Sequence, residues 1–259
     1  MMSFFFISLY FCYHLQLNSQ VVNIENRRIY DDTSGFSGSI DAAFSAVQNK
    51  NLLLSGSFRP RVQYKSKKHY FLFLTDWMYT KGENQVYANS GMIHFRYAYR
   101  LKSFKDSLKK SPWKWESYAQ MQYNQLLDQR LRALFGTGLR VKVLDKSGYR
   151  IFVGTSTFFE YEDIQSSEIT HRDYRWSNYL SWYFNPKPSF SFTAVTYFQP
   201  LWKDLNDFRF MGQYTLNFNV FKRTDFRFEF NTFYDSNPPI EIRNWIFNTS
   251  IGVKIRLGE

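Results

Sequence analysis

The feature that most constrains this chain is a strict alternation of apolar and polar residues, held over runs of ten residues or more. Met92 to Leu101 is the clearest case. One face reads Ile93, Phe95, Tyr97, Tyr99 and Leu101; the other reads Met92, His94, Arg96, Ala98 and Arg100. A period of two is the signature of a β-strand with two different environments on its two faces. A slip of one residue would exchange the faces completely, so the register is strongly specified. The pattern returns at Ser189–Gln199, Asp207–Phe218 and Phe226–Asn231, with weaker versions at Phe36–Ala46, Leu52–Tyr64, Tyr70–Tyr79, Trp113–Leu127, Leu131–Leu144, Tyr149–Tyr161, Tyr174–Phe184 and Ile242–Leu257. That makes about twelve strands. Polar turn segments separate them: Lys65–Lys68, Asp145–Gly148, Asn185–Pro188 and Lys222–Asp225 on one side, with Lys81–Gln85, Asp163–Asp173 and Asp235–Glu241 on the other.

Strand length chooses between architectures. Strands of soluble sandwiches average about 5–6 residues, whereas a tilted strand that crosses a bilayer needs about 9–11. Composition agrees. Aromatic residues make up 21% of the 259 residues, yet mean hydropathy is −0.44. Abundant aromatics in a chain that is polar on average are expected where lipid-facing and water-facing residues alternate. Trp and Tyr near the run ends, among them Trp77, Trp115, Trp176, Trp182, Trp202 and Trp245, suit interfacial girdles. The expected fold is all-β: a single antiparallel up-and-down transmembrane β-barrel of the outer-membrane type, monomeric, over residues 35–259.

The one long apolar run, Phe4–Tyr13, is too short for a spanning helix and reads as the core of a signal peptide over residues 1–19. Residues 20–34 then form a periplasmic lead-in. No Lys or Arg precedes the apolar run, and Cys12, the single cysteine, lies inside it. The mature chain is therefore expected to lack thiols and cysteine-based metal sites. Such a chain would be exported to the outer membrane of a Gram-negative cell. Its partners would be the barrel-insertion machinery during assembly, then outer-membrane lipid and lipopolysaccharide. Ser250–Leu257 has the polar, glycine and apolar spacing of a closing strand read by that machinery.

The formal net charge is +11. The basic residues are spread along the whole chain, which speaks against a nucleic-acid stripe. If the polar face of each strand points inward, Arg59, Arg61, Arg96, Arg100, Arg132, Arg140, Arg150, Arg209 and Arg227 are candidate lumen-lining residues, with Lys114, Arg130, Lys142, Arg175, Lys254 and Arg256 beside them. Glu116, Glu160, Glu162, Asp207, Glu229 and Asp235 stand against them, so the interior is expected to be net positive. Rings of Arg and Lys select anions. Two readings stay open: a narrow channel favouring small anionic solutes, and a lumen plugged by Arg–Glu pairs.

Chemistry is poorly supported. His14, His69, His94 and His171 show no metal-ligand spacing, and no cofactor is implied. Outer-membrane phospholipases place Ser and His two residues apart on one strand, and neither His69 nor His94 fits. His171 with Asp163, Glu168 and Asp173 in an outer loop is the nearest approach to a protease-like set. The expectation is a protein that is not an enzyme.

Several segments together resemble a known family. Asn23–Ile29, Gly35–Asp41, Gln122–Gln125, Gly136–Arg140, Tyr197–Pro200 and Tyr234–Pro239 are similar to the salt-induced outer-membrane proteins, a domain-of-unknown-function family. Asn237 stands where that pattern leads us to expect Arg. The resemblance implies an outer-membrane barrel linked to salt or envelope stress, and it implies no activity, ligand or catalytic residue.

Overall fold

The computed structural model describes residues 34–48, 50–83, 85–102, 111–166, 170–187, 189–221, 224–239 and 242–255. The segments expected to be the signal peptide and most of the lead-in lie outside these residues, as do most of the Lys102–Pro112 link and Glu168. Twelve antiparallel strands form one sheet in sequence order. They are β1 (Gly35–Gln48), β2 (Leu52–Lys65), β3 (His69–Gly82), β4 (Gln85–Arg100), β5 (Trp113–Asn124), β6 (Gln129–Lys146), β7 (Tyr149–Ile164), β8 (Thr170–Lys187), β9 (Phe190–Pro200), β10 (Phe208–Phe221), β11 (Thr224–Asp235) and β12 (Trp245–Ile255). The connection is up-and-down throughout. Among the described residues β1 pairs only with β2, and β12 only with β11.

Each expected strand is present, and most are longer than expected. The expected outer loop Asp163–Asp173 is mostly strand: β7 runs to Ile164 and β8 begins at Thr170. Glu160 and Glu162 keep the inward alternation there, pairing in register with Asp173 and His171. The Trp113–Leu127 run ends early. Gln125–Leu127 form a 3-10 turn whose start is capped by Asn124, its side chain accepting from the Leu126 N–H, and Asp128 closes the turn at φ +57°. Asp145–Gly148 is a tight turn as expected. Gly148 takes φ +77°, and a Cβ there would lie 2.2 Å from the Asn185 carbonyl oxygen, so only glycine fits.

The sheet curls, and its two faces differ. Register irregularities near strand ends, at Thr80/Lys81, Gln122/Asn124, Gln129/Leu131 and Lys142/Leu144, sharpen its twist. On the convex face large apolar side chains stand exposed: Phe44 is 77% accessible, Phe135 64% and Ile251 69%. Aromatic clusters mark its two ends. Tyr174, Trp176 and Trp202 gather near the loops, and Phe71, Tyr97 and Trp115 near the short turns. On the concave face side chains of strands that are not neighbours meet. The Tyr179 hydroxyl on β8 lies 3.5 Å from Glu116 on β5. Tyr118 on β5 reaches Ser156 on β7 at 3.1 Å, passing over Gly136 of β6.

Two apolar clusters also lie on the concave face. Leu72, Leu74 and Met92 form one; Tyr179, Val195, Tyr197, Met211 and Phe233 form the other, with Ile246 packed against it. Burying each of these side chains stabilises the fold by roughly 1.5–3 kcal/mol.

Candidate functional site: a charge-balanced interior

The interior is built around two carboxylates. Glu160 on β7 is 1% accessible. It accepts from Arg132 Nε at 2.5 Å, from Arg175 Nε at 3.0 Å and from Arg209 Nη1 at 2.7 Å. Arg209 extends the cluster, donating from Nη2 to Glu162 and from Nε to Asp235, both at 2.8 Å. Arg175 adds Asp207 at 2.8 Å. Inward positions on β6, β7, β8, β10 and β11 thus converge near the loop end of the sheet.

Glu116 on β5 is the second centre. Arg96 Nη1 lies 3.1 Å from one of its oxygens and Arg140 Nη1 3.6 Å from the other. The Arg140 guanidinium also sits over the Phe152 ring at 4.1 Å, and that of Arg96 over Tyr118 at 5.4 Å. Gly154 makes room for the Tyr179 ring, since a Cβ there would meet Cε1 at 2.0 Å.

A relay of hydrogen bonds runs along the interior from His94, beside the second centre, to the first. His94 Nδ1 is 2.9 Å from Gln120 Oε1. Gln120 donates to Gln122 at 2.6 Å, Gln122 to Gln129 at 2.8 Å, and Gln129 to Glu162 at 2.5 Å. Arg96, Glu116, His94, Tyr118, Ser156 and Gln199 border a small cavity of about 40 Å³ at the second centre. That is room for roughly three waters.

The nine arginines expected in the interior divide into two groups. Arg96, Arg132, Arg140 and Arg209 are buried in the two centres. Arg59 pairs with Asp76 at 3.1 Å, and Arg61 donates to Ser39 at 2.9 Å. Arg100, Arg150 and Arg227 lie near the short-turn end. Arg100 donates to the Lys67 carbonyl at 3.0 Å, Arg150 stands over Tyr183 at 4.4 Å, and Arg227 pairs along its own strand with Glu229. Arg130, also expected inside, is instead an exposed rim residue 3.4 Å from Asp163.

Within this interior the buried positions are charge-balanced. Among the described residues the buried charges are Arg96, Arg132, Arg140, Arg175 and Arg209 against Asp76, Glu116, Glu160, Glu162 and Asp235, five of each sign. Unpaired charge in a low-dielectric interior is too costly to keep, so acids are drawn to every buried cation. The basic excess lies in the more accessible positions outside this set. Sequence reasoning missed Asp76 and the glutamine relay. Their inward position was readable from the alternation, but their partners lie on other strands.

His171 is exposed at the start of β8, while Asp173 faces Lys203 at 3.5 Å and Asp163 faces Arg130 at 3.4 Å, so these two acids are held in rim ion pairs. Among the described residues no group of three or more His, Cys, Asp or Glu side chains is placed to hold a metal ion.

A family model matches residues 49–252, and its description is a protein of unknown function, DUF481. Among solved structures, one described as "NanC porin structure in rhombohedral crystal form" is similar at 12% identity, covering 78% of this chain and 94% of that one, with a TM-score of 0.42. No curated protein matches. With the family model spanning most of its length, the chain belongs to the DUF481 family of proteins of unknown function.

Proposed function

We propose that this protein is an outer-membrane β-barrel whose lumen is shut at rest by its own side chains, so that it serves the envelope as a closed barrel and not as an open anion pore. The observation that carries this reading is the balanced, buried Arg–carboxylate network linking five strands across the concave face. An anion path needs cations that remain available to a passing solute. Here the buried guanidiniums are already held by carboxylates.

The convex face supports the membrane setting. Soluble proteins seldom expose contiguous apolar patches beyond a few hundred Å², and this face exposes many large apolar side chains, among them Phe44, Phe73, Ile93, Phe135, Leu180 and Ile251, between two aromatic belts. Within hydrocarbon every backbone group needs a partner, so β1 and β12 join and close the barrel. The reading assigns no catalytic step. It keeps the resemblance to salt-induced proteins as a link to osmotic stress, which transcript and protein levels after a salt upshift would test.

The decisive experiment is single-channel recording of the refolded chain in a planar bilayer under a salt gradient. The wild-type protein is expected to be nearly silent, and Glu160→Ala or Arg209→Ala to produce discrete conductance steps. Stable wild-type openings with an anion-favouring reversal potential would overturn the closed reading and restore the channel.

A further inference from the structure

The convex face carries one anomaly midway between its aromatic belts. On β8 the outward residues read Tyr174, Trp176, Asn178, Leu180 and Trp182, so a primary amide stands where hydrocarbon is expected. Asn178 is the ninth of the eighteen residues of β8, and its side chain is exposed. Its Oδ1 accepts from Thr155 Oγ1 on β7 at 2.8 Å. Its Nδ2 has no acceptor among the described residues.

Trp176, Leu180 and Phe198 stand around Asn178 on this face, and toward β5 several outward positions are small or hydroxylated. Ser117 on β5 and Thr137 on β6 are bonded to each other at 3.1 Å, and Thr137 also donates to the Glu116 carbonyl at 3.1 Å. Ala119 and Thr157 flank them on the same face. The hydroxyls of Ser117, Thr137 and Thr155 are thus satisfied within the chain; the Asn178 amide hydrogens are not.

A lipid tail offers those hydrogens nothing, and an unsatisfied amide in hydrocarbon is costly. Inside a membrane, amides bond across contacts between chains. A primary amide carries both donor and acceptor, so it is its own complement about a two-fold axis.

We propose that the β5–β8 face is a dimer interface with a second copy of this chain, centred on Asn178, in place of the monomer expected from sequence. The proposal rests on the membrane reading above. Each Asn178 Nδ2 donates to the partner copy's Asn178 Oδ1, while Thr155 holds that amide in position.

The test uses the full chain carrying Cys12→Ser, reconstituted in phosphatidylcholine vesicles. Donor- and acceptor-labelled copies are followed by energy transfer over a series of protein-to-lipid ratios. Wild type is expected to dimerise, and Asn178→Leu to need roughly tenfold more protein per lipid, since two reciprocal hydrogen bonds are lost together. Retained heat-modifiable migration on gels shows that the variant is folded. Asn178→Cys in the same background is expected to form a disulfide dimer on oxidation, whereas Thr75→Cys, outward on β3, does not. A wild type that floats with the vesicles but stays monomeric overturns the interface alone, as does equal cross-linking at both positions. Failure to float overturns the membrane reading and the interface with it.

Discussion

Glu160→Gln isolates the part of the interior that matters most. The substitution keeps the side-chain volume and removes one charge. Glu160 meets three guanidiniums at 2.5–3.0 Å and is almost wholly buried. Each contact at ~4 Å between charge centres is an attraction of about 4 kcal/mol at an effective dielectric near 20, before desolvation is counted. Arg209 keeps Glu162 and Asp235, and Arg175 keeps Asp207, so those two lose only part of their compensation. Arg132 loses the carboxylate at its Nε, and the new amide turns donor hydrogens toward other donors. Removing one partner of a buried ion pair costs about 3–5 kcal/mol, because the opposite charge stays behind. The folding equilibrium should therefore shift by roughly 10²–10⁴-fold. Reversible urea unfolding in lipid vesicles, followed by tryptophan fluorescence, reads this directly. Glu160→Gln combined with Arg132→Met should cost less than the sum of the two single variants. A loss under ~0.5 kcal/mol, or strict additivity in the pair, would refute the claim that this carboxylate organises the interior.

Other outcomes follow from the same geometry. Phe95→Arg puts a charge on the convex face of β4 and should cost about 2–4 kcal/mol in lipid, while Phe95→Leu should be nearly neutral; comparing their unfolding in vesicles tests which face meets the membrane. Gly138→Ala would place a Cβ 2.2 Å from the Thr155 carbonyl oxygen and 2.4 Å from Ser156 Cα. Backbone cannot yield as a side-chain end does, so we expect a loss of roughly 1–3 kcal/mol or more, visible as lost heat-modifiable migration. Gln122→Leu cuts the relay between the two centres and leaves Gln129 without its donor, at an expected cost of about 1–3 kcal/mol; unfolding in vesicles again provides the measurement.

Strand number, order and facing were legible in the chain because alternation is local. Ile93 and His94 declare opposite environments without reference to any other strand. The strand ends at Ile164 and Thr170 were less legible, since the charged run around them looks like a loop until Glu160 and Glu162 are seen to point inward. The interior was the hard part. Counting basic residues on inward positions gave an excess of cations, and that count ignores depth. Arg227 and Glu160 are both inward, yet one is open to solvent and the other sealed. Partner choice across the concave face, such as Arg209 with Glu160, joins residues 49 apart in sequence and depends on curvature that no local pattern encodes. Leu72, Leu74, Val195 and Met211 broke the polar-inside expectation for the same reason: they meet one another only once the sheet has curled.

The position of Arg209 also ties the interior to the C-terminal strands. It binds the carboxylates of β7 and β11, and it belongs to the tenth strand of twelve. Before β10 docks, Glu160 and Glu162 lack one guanidinium they share and must keep hydration water. A sheet without β10 would therefore hold a wet centre, which dries only once the C-terminal strands are in place. An intermediate halted before that step would be a leaky one, and a chain truncated ahead of β10 should be more damaging to the membrane that holds it than one that never inserts.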